Sequence, residues 1–304
     1  MSSRKIVIIA DLSLLGIALA WGYIFVLTKD LLNEISPLFL NAGRFLFSAM
    51  ILWIFKQKNV RKAGWDVWKK GVLCGLPLWL AFTLQTFGIE NTTPGKAGVL
   101  TGTVIIIVPF LYFVFSKVAI QKGVIIGCLL TFGGLAILSW DGGSMKGNIG
   151  DLLVLLCAVF FAIHILAVDR VYEQSDSIDS FVFIMIQLLV AGVMSVPFAF
   201  LLEPLPSSLS SYGWFAFGFD TLIGTLLAYI VQIKAQQYSP PTHVSLLLSL
   251  ESFFAFLFSW LLWGEVLTRN VLIGVSLILL GVFMTELLNI LRPIRKSNME
   301  SEAP

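Results

Sequence analysis

Glu251, Asp220 and Arg44 have the strongest reason in this sequence to do chemistry, because each lies deep inside an apolar run. An ionisable side chain within a membrane-spanning helix costs about 2.5 to 3.5 kcal/mol on insertion scales, so it must face protein or a water-filled cavity. Glu251 and Asp220 each lie about nine residues into such a run, and a rise of about 1.5 Å per residue places both near mid-depth. A carboxylate there can bind an amine or take up a proton; its purely structural use is to be satisfied by a neighbouring helix. Ser249 and Ser252 add polarity beside Glu251. Arg44, about seven residues from the end of its run, can grip a carboxylate through two parallel hydrogen bonds or form an internal ion pair with an acid such as Glu90.

Trp21, Tyr23, Gln85, Gln187, Tyr229 and Gln232 offer aromatic faces and neutral hydrogen bonds to an organic ligand, and each serves equally well as glue between helices. Trp21 stands out because it falls mid-run, away from the interfacial belt where tryptophan is commonplace; Trp65 and Trp68, flanked by lysines, read as such an anchor. His164 and His243 occupy different runs with no cysteine or carboxylate at ligand spacing, so no metal site is expected. His164 is either a proton relay or a histidine bonded to the next helix, and His243 belongs to a loop or the mouth of the molecule. The chain carries no HExxH, GxSxG or Walker A pattern, which argues against an enzyme and against a nucleotide cofactor. Cys74, Cys128 and Cys157 are odd in number and sit in apolar runs, so they are expected to be packed thiols without a disulfide.

The elements that must position these groups follow from composition. Of the 304 residues, 58% are hydrophobic and 12% charged, whereas a soluble domain is about half apolar and about a quarter charged. The net charge of +2 is scattered, which excludes the basic patch a nucleic-acid partner requires. Apolar windows fall at 10–28, 37–55, 71–90, 97–116 and 123–140, then at 149–168, 178–202, 211–236, 242–263 and 270–290. Each approaches the roughly 20 residues that cross a bilayer as a helix. The runs are too long and too evenly apolar for the alternating strands of a barrel. The expected fold is therefore an all-α integral membrane protein with ten transmembrane helices, in contact with the lipid bilayer.

An even number of spans with the N-terminus inside puts Arg4, Lys5, Lys56, Lys58, Arg61, Lys62, Lys69, Lys70 and most other cations on one side. Only Lys29, Lys96, Lys146 and Arg269 fall on the other, so both termini are expected in the cytoplasm. Ala18-Leu19-Ala20 imitates a signal-peptidase site, but the apolar run continues to Leu27, and the segment is read as a retained first span.

The two halves resemble each other. Asp11-Leu12 with Leu15 and Ala18 matches Asp151-Leu152 with Leu155 and Ala158, and Ile126-Gly127 with Leu130 and Gly134 matches Ile273-Gly274 with Leu277 and Gly281. Such order and near-constant offset point to duplication. A unit of five spans repeated in tandem enters the membrane in opposite senses, giving two inverted five-helix repeats, the plan on which many carriers are built. The boundaries read as 1–145 and 146–291, followed by a short cytoplasmic tail at 292–304. Gly127 with Gly134, and Gly274 with Gly281, each share a helix face that allows close approach, within the chain or between two copies in a homodimer.

Several stretches together resemble the drug/metabolite transporter superfamily, and within it the EamA-type proteins: Ala20-Trp21-Gly22, Gly43-Arg44-Phe45-Leu46, Ala97 through Pro109, Gly150-Asp151-Leu152, Gly224-Thr225 with Ala228-Tyr229, and Leu250-Glu251 through Gly264-Glu265. The resemblance covers nearly the whole chain. It departs at Ser252, where the family often has proline and a kink, and at Ser116-Lys117, where it often has Gly-Glu. What the resemblance implies is a plasma-membrane carrier with a central cavity and alternating access, exporting or exchanging amino acids, related metabolites or drugs. With no nucleotide site, transport is expected to be secondary: exchange with a proton or counter-solute, or facilitated diffusion. The alternatives are a membrane ligand-binding or sensor protein and, further off, a membrane-embedded enzyme; fold resemblance does not choose a substrate.

Overall fold

The computed structural model describes residues 3–116, 120, 122–138, 149–174, 178–239 and 241–264, together with single residues and short stretches between 266 and 284. Its described residues are predominantly helical: α1 Ser3–Leu31, α2 Pro37–Lys62, α3 Trp65–Asn91, α4 Pro94–Thr101, α5 Val104–Ser116, α6 Lys122–Leu138, α7 Ile149–Gln174 and α8 Ser180–Leu202. There follow α9 Ser211–Phe219, a π-helical stretch Asp220–Leu227, α10 Ala228–Gln236, α11 Pro241–Leu248 and α12 Glu251–Trp263. Among the described residues eight helical spans are long and apolar enough to cross a membrane, and α6 contains a shorter apolar stretch, Lys122–Gly134. Large apolar side chains such as Phe55, Leu73, Phe115 and Leu201 point outward, as they do when the surrounding solvent is hydrocarbon.

Local signals set the helix starts. Pro37 and Pro94 occupy first turns, where a missing N–H is harmless. Asp179 accepts from the amides of Phe181 and Val182, and Ser210 from Gly213, satisfying donors that a helix start leaves bare. Gly264, at φ 75°, ends α12 in the left-handed region that a side chain disfavours.

The helices outrun the apolar windows. α2 continues to Lys62 beyond the window's end at 55, with a break from helical geometry at Lys56 (φ −120°, ψ 20°), and α3 begins at Trp65. A hydropathy window sees only the length immersed in hydrocarbon, whereas the backbone stays helical into the interface, where lysines are at no disadvantage. Two further differences are internal. The fourth span is interrupted at Gly102-Thr103 and the ninth at Ser249-Leu250, corresponding positions in the two halves. The ninth breaks although Ser252 stands where the family often has proline. The expected tenth span lies largely outside the described residues; those described between 269 and 284 are helical. Lys117 also lies outside them.

Contacts between helices follow the duplication. α2 packs on α8 and α4 on α12, each pair joining corresponding spans of the two halves. The α3–α7 contact has its counterpart in α1 against α9, the π stretch and α10, and α1–α12 has its counterpart in α4 and α5 against α7. Exchanging the halves therefore maps these contacts onto one another. Gly281 sits where a Cβ would come 2.6 Å from the Gly127 carbonyl oxygen and 2.5 Å from Thr131 Oγ1, so the glycine faces of the fifth and tenth spans meet each other within the chain. Gly134 and Gly274 are buried as well.

Candidate functional site

A cavity opens where the halves meet, with roughly 690 Å³ of space free of atoms including its mouth. α1 contributes Trp21, Phe25 and Thr28, α2 Arg44, and α3 Phe82, Gln85 and Thr86. The second half contributes Phe161 from α7, Asp220 and Gly224 from the π stretch, and Tyr229 and Gln232 from α10. Both interrupted spans reach the cavity at their breaks, through Thr101 and Val104 on one side and Leu248 and Glu251 on the other. A broken helix is tolerated at membrane depth only where protein or a cavity satisfies its free backbone groups.

Arg44 and Asp220 form an ion pair across the two halves, Nη1 to Oδ2 at 2.8 Å, with side chains only 4% and 2% exposed. The expected internal ion pair of Arg44 is present, but its partner is not Glu90. Glu90 stands exposed at the end of α3, where its carbonyl and that of Ile89 accept from Lys29 Nζ at 2.8 and 2.9 Å. Arg44 lies too deep for an acid at a helix end to serve it. Asp220, nine residues beyond the start of α9, stands at the N-terminal edge of the π stretch, whose wider turns shift its donors and acceptors out of α-helical register. Within that stretch the Gly224 carbonyl accepts from Trp21 Nε1 at 2.8 Å, which fixes the indole against the cavity.

Glu251 is the first residue of α12, buried at 6% exposure on the cavity wall, with no hydrogen bond or ion pair to a described residue. The two serines expected to enrich its surroundings are engaged elsewhere. Ser249 Oγ donates to the Leu246 carbonyl at 2.6 Å, and Ser252 Oγ crosses to the Gly98 carbonyl at 2.9 Å, tying the ninth span to the fourth. Opposite, Gln85 Nε2 donates to Thr101 Oγ1 at 3.3 Å, and Tyr229 packs against Trp21 and Phe82 at centroid distances of 6.1 and 5.9 Å.

Of the residues singled out in the sequence, Glu251, Arg44, Asp220, Trp21, Gln85, Tyr229 and Gln232 converge on this cavity. Three do not. His164 and Gln187 are fully buried and bonded to each other at 2.7 Å between α7 and α8, behind Tyr229. Tyr23 packs edge-on against Phe219 and Phe258 at 5.5 and 5.3 Å. His243 Nε2 meets Asp11 Oδ1 at 2.9 Å, joining α11 to α1. Cys74, Cys128 and Cys157 are buried in separate apolar clusters, and no group of His, Cys, Asp or Glu suited to a metal occurs among the described residues. Sequence reasoning missed Phe25, Phe82 and Phe161, since nothing separates three lining phenylalanines from the rest of the chain's 25. Behind the lining residue Thr86, the fully buried Asn41 accepts from Thr86 Oγ1 through Oδ1 at 3.1 Å.

Comparison with known proteins gives a uniform result. The sequence matches the EamA-like transporter family over residues 8–140 and again over 148–287. It is 31% identical over 278 residues to an uncharacterized transporter of Archaeoglobus fulgidus, covering 91% of this chain and 86% of that one. It is 23% identical to the S-adenosylmethionine/S-adenosylhomocysteine transporter of Chlamydia muridarum, over 87% of each chain. A solved crystal structure shares the fold with a TM-score of 0.74 and 16% identity, covering 92% of this chain and 96% of the other.

Proposed function

Because this chain belongs to the EamA-like transporter family, we propose that it is a secondary-active carrier that exports small organic metabolites, amino acids, related metabolites or drugs, by alternating access. The two halves, 1–145 and 146–291, rock about the cavity they share, and the segment 292–304 is a cytoplasmic tail. The family match over two separate segments, the interchangeable contacts of the halves and the paired helix breaks all support this reading. The bias of lysine and arginine toward one side favours cytoplasmic termini in the plasma membrane.

The observation that carries the proposal is Glu251: a buried carboxylate without a partner among the described residues, on the wall of a mostly apolar cavity, at a break in a spanning helix. Such a group has two transport uses, to hold a cationic group of the cargo or to take up a coupling proton. Aromatic walls suit the organic body of the cargo. The test is flux in proteoliposomes with an imposed pH gradient. The panel comprises labelled amino acids plus S-adenosylmethionine and S-adenosylhomocysteine, which one relative is named for carrying. Saturable flux that Glu251→Gln abolishes is expected. Absence of flux for every solute, from protein shown to be folded, would favour the ligand-binding or sensor reading.

A further inference from the structure

The Arg44 guanidinium is only half used. Its Nη1 is taken by Asp220 at 2.8 Å, and the rings of Phe45 and Phe82 lie 4.8 and 4.4 Å from its central carbon. Nε and Nη2 are buried and have no hydrogen-bond partner among the described residues. These two atoms form the side-on edge of the guanidinium, with parallel N–H bonds spaced to match the two oxygens of a carboxylate. Buried donors left without an acceptor are uncommon, and a charged one is the more so. The residue that carries this edge is 3% exposed and lines the cavity.

We infer that the side-on edge of Arg44 is a carboxylate subsite of the cavity, so that the cargo is an organic solute bearing a carboxylate. This deepens the carrier reading and rests on it. Asp220 holds the guanidinium from the opposite end and prevents it from swinging, which leaves one geometry in which an incoming carboxylate is received. Charge adds a second constraint. With Asp220 balancing Arg44, the cavity's remaining charge is that of Glu251, so a cargo carboxylate is best tolerated when the same molecule presents a cationic group to Glu251. The solute expected is therefore amphoteric, its apolar body lying against Phe25, Phe82 and Phe161.

The test is binding to the purified full chain in detergent, with two matched pairs as probes: L-phenylalanine against L-phenylalaninamide, and 3-phenylpropionate against 3-phenylpropionamide. In each pair the acid should bind at least about tenfold more tightly than the amide, the factor that a charge-assisted contact supplies. The preference should vanish in the charge-neutral double variant R44Q/D220N. It should fall sharply in Arg44→Lys, which keeps the positive charge but not the two-pronged edge. An amide that binds as well as its acid overturns the subsite. So does a preference that survives both variants, or no binding by either acid. Flux of the same probes separates this from the carrier reading: transport without acid preference removes only the subsite, whereas Arg44-dependent acid binding without flux removes the carrier.

Discussion

Removing either partner of the Arg44–Asp220 pair should destabilise the protein more than removing both. Asp220→Asn keeps the shape of the side chain but leaves the Arg44 charge without a counter-ion, in a site where the two side chains are 4% and 2% exposed. Breaking a buried pair on one side costs about 3 to 5 kcal/mol, and the insertion penalty of a lone charge at membrane depth, about 2.5 to 3.5 kcal/mol, falls in the same range. The predicted loss is therefore about 3 kcal/mol. Arg44→Gln leaves Asp220 equally unpaired and also forfeits the contacts of the guanidinium with Phe45 and Phe82, each worth about 0.5 to 2 kcal/mol. It should be the worse single variant by about 1 kcal/mol. The double variant removes both charges and needs no counter-ion, so it should cost less than either single change, a coupling of at least about 4 kcal/mol. Equilibrium unfolding in mixed micelles, followed by tryptophan fluorescence, measures all three. Single losses that simply add in the double variant, or that stay within about 0.5 kcal/mol of wild type, would refute the claim that this pair joins the halves at depth.

Three further outcomes are expected. Gly281→Val places a side chain against Gly127 and Thr131 and should destabilise by about 1 to 3 kcal/mol, the usual cost of overpacking; unchanged thermal stability would mean that the two helices do not touch there. Gly102→Ala drives a methyl into the Ser252 hydroxyl, so it should lower thermal stability more in the wild type than in a Ser252→Ala background, and equal effects in both would remove the contact. Between α1 and α2, Glu34 accepts from Ser210 Oγ and N, both at 2.7 Å, and these bonds hold its carboxyl below the usual glutamate range. A depressed folded value means that the contribution is present above the ordinary glutamate pKa and lost as pH falls through the folded one. Glu34→Gln should therefore flatten the acid side of the stability–pH curve, and a curve unchanged from wild type would count against the contact.

Glu251 and Arg44 show how much of the site was legible beforehand. A charge inside an apolar run is visible to composition, because hydrocarbon penalises it whatever the fold, and both residues do line the cavity. The partner of Arg44 was not legible. Depth along a helix follows from counting residues, but the rotation and approach of two helices separated by 176 positions in the chain do not. The same limit separated Trp21 from Tyr23, two residues apart: one indole is fixed on Gly224 at the cavity, while the phenol ring faces Phe219 and Phe258.

The sequence by itself determined that the chain is a bundle of apolar helices and, through its matched motifs, pointed to two similar halves, each of which matches the same family. Both are properties of composition and order, and a solvent of lipid leaves the backbone no other economical way to bond itself. Tertiary structure alone decided which polar groups pair and which stay free. It set Asp220 against Arg44, closed His164 on Gln187, turned Ser249 and Ser252 away, and left Glu251 and one edge of Arg44 on the cavity. The physical reason is that pairing within the membrane depends on interhelical distances of a few ångströms, which are set jointly by close approaches such as Gly281 on Gly127 and by the interruptions at 102–103, 220–227 and 249–250. None of these is encoded in the run of apolar residues that makes each helix.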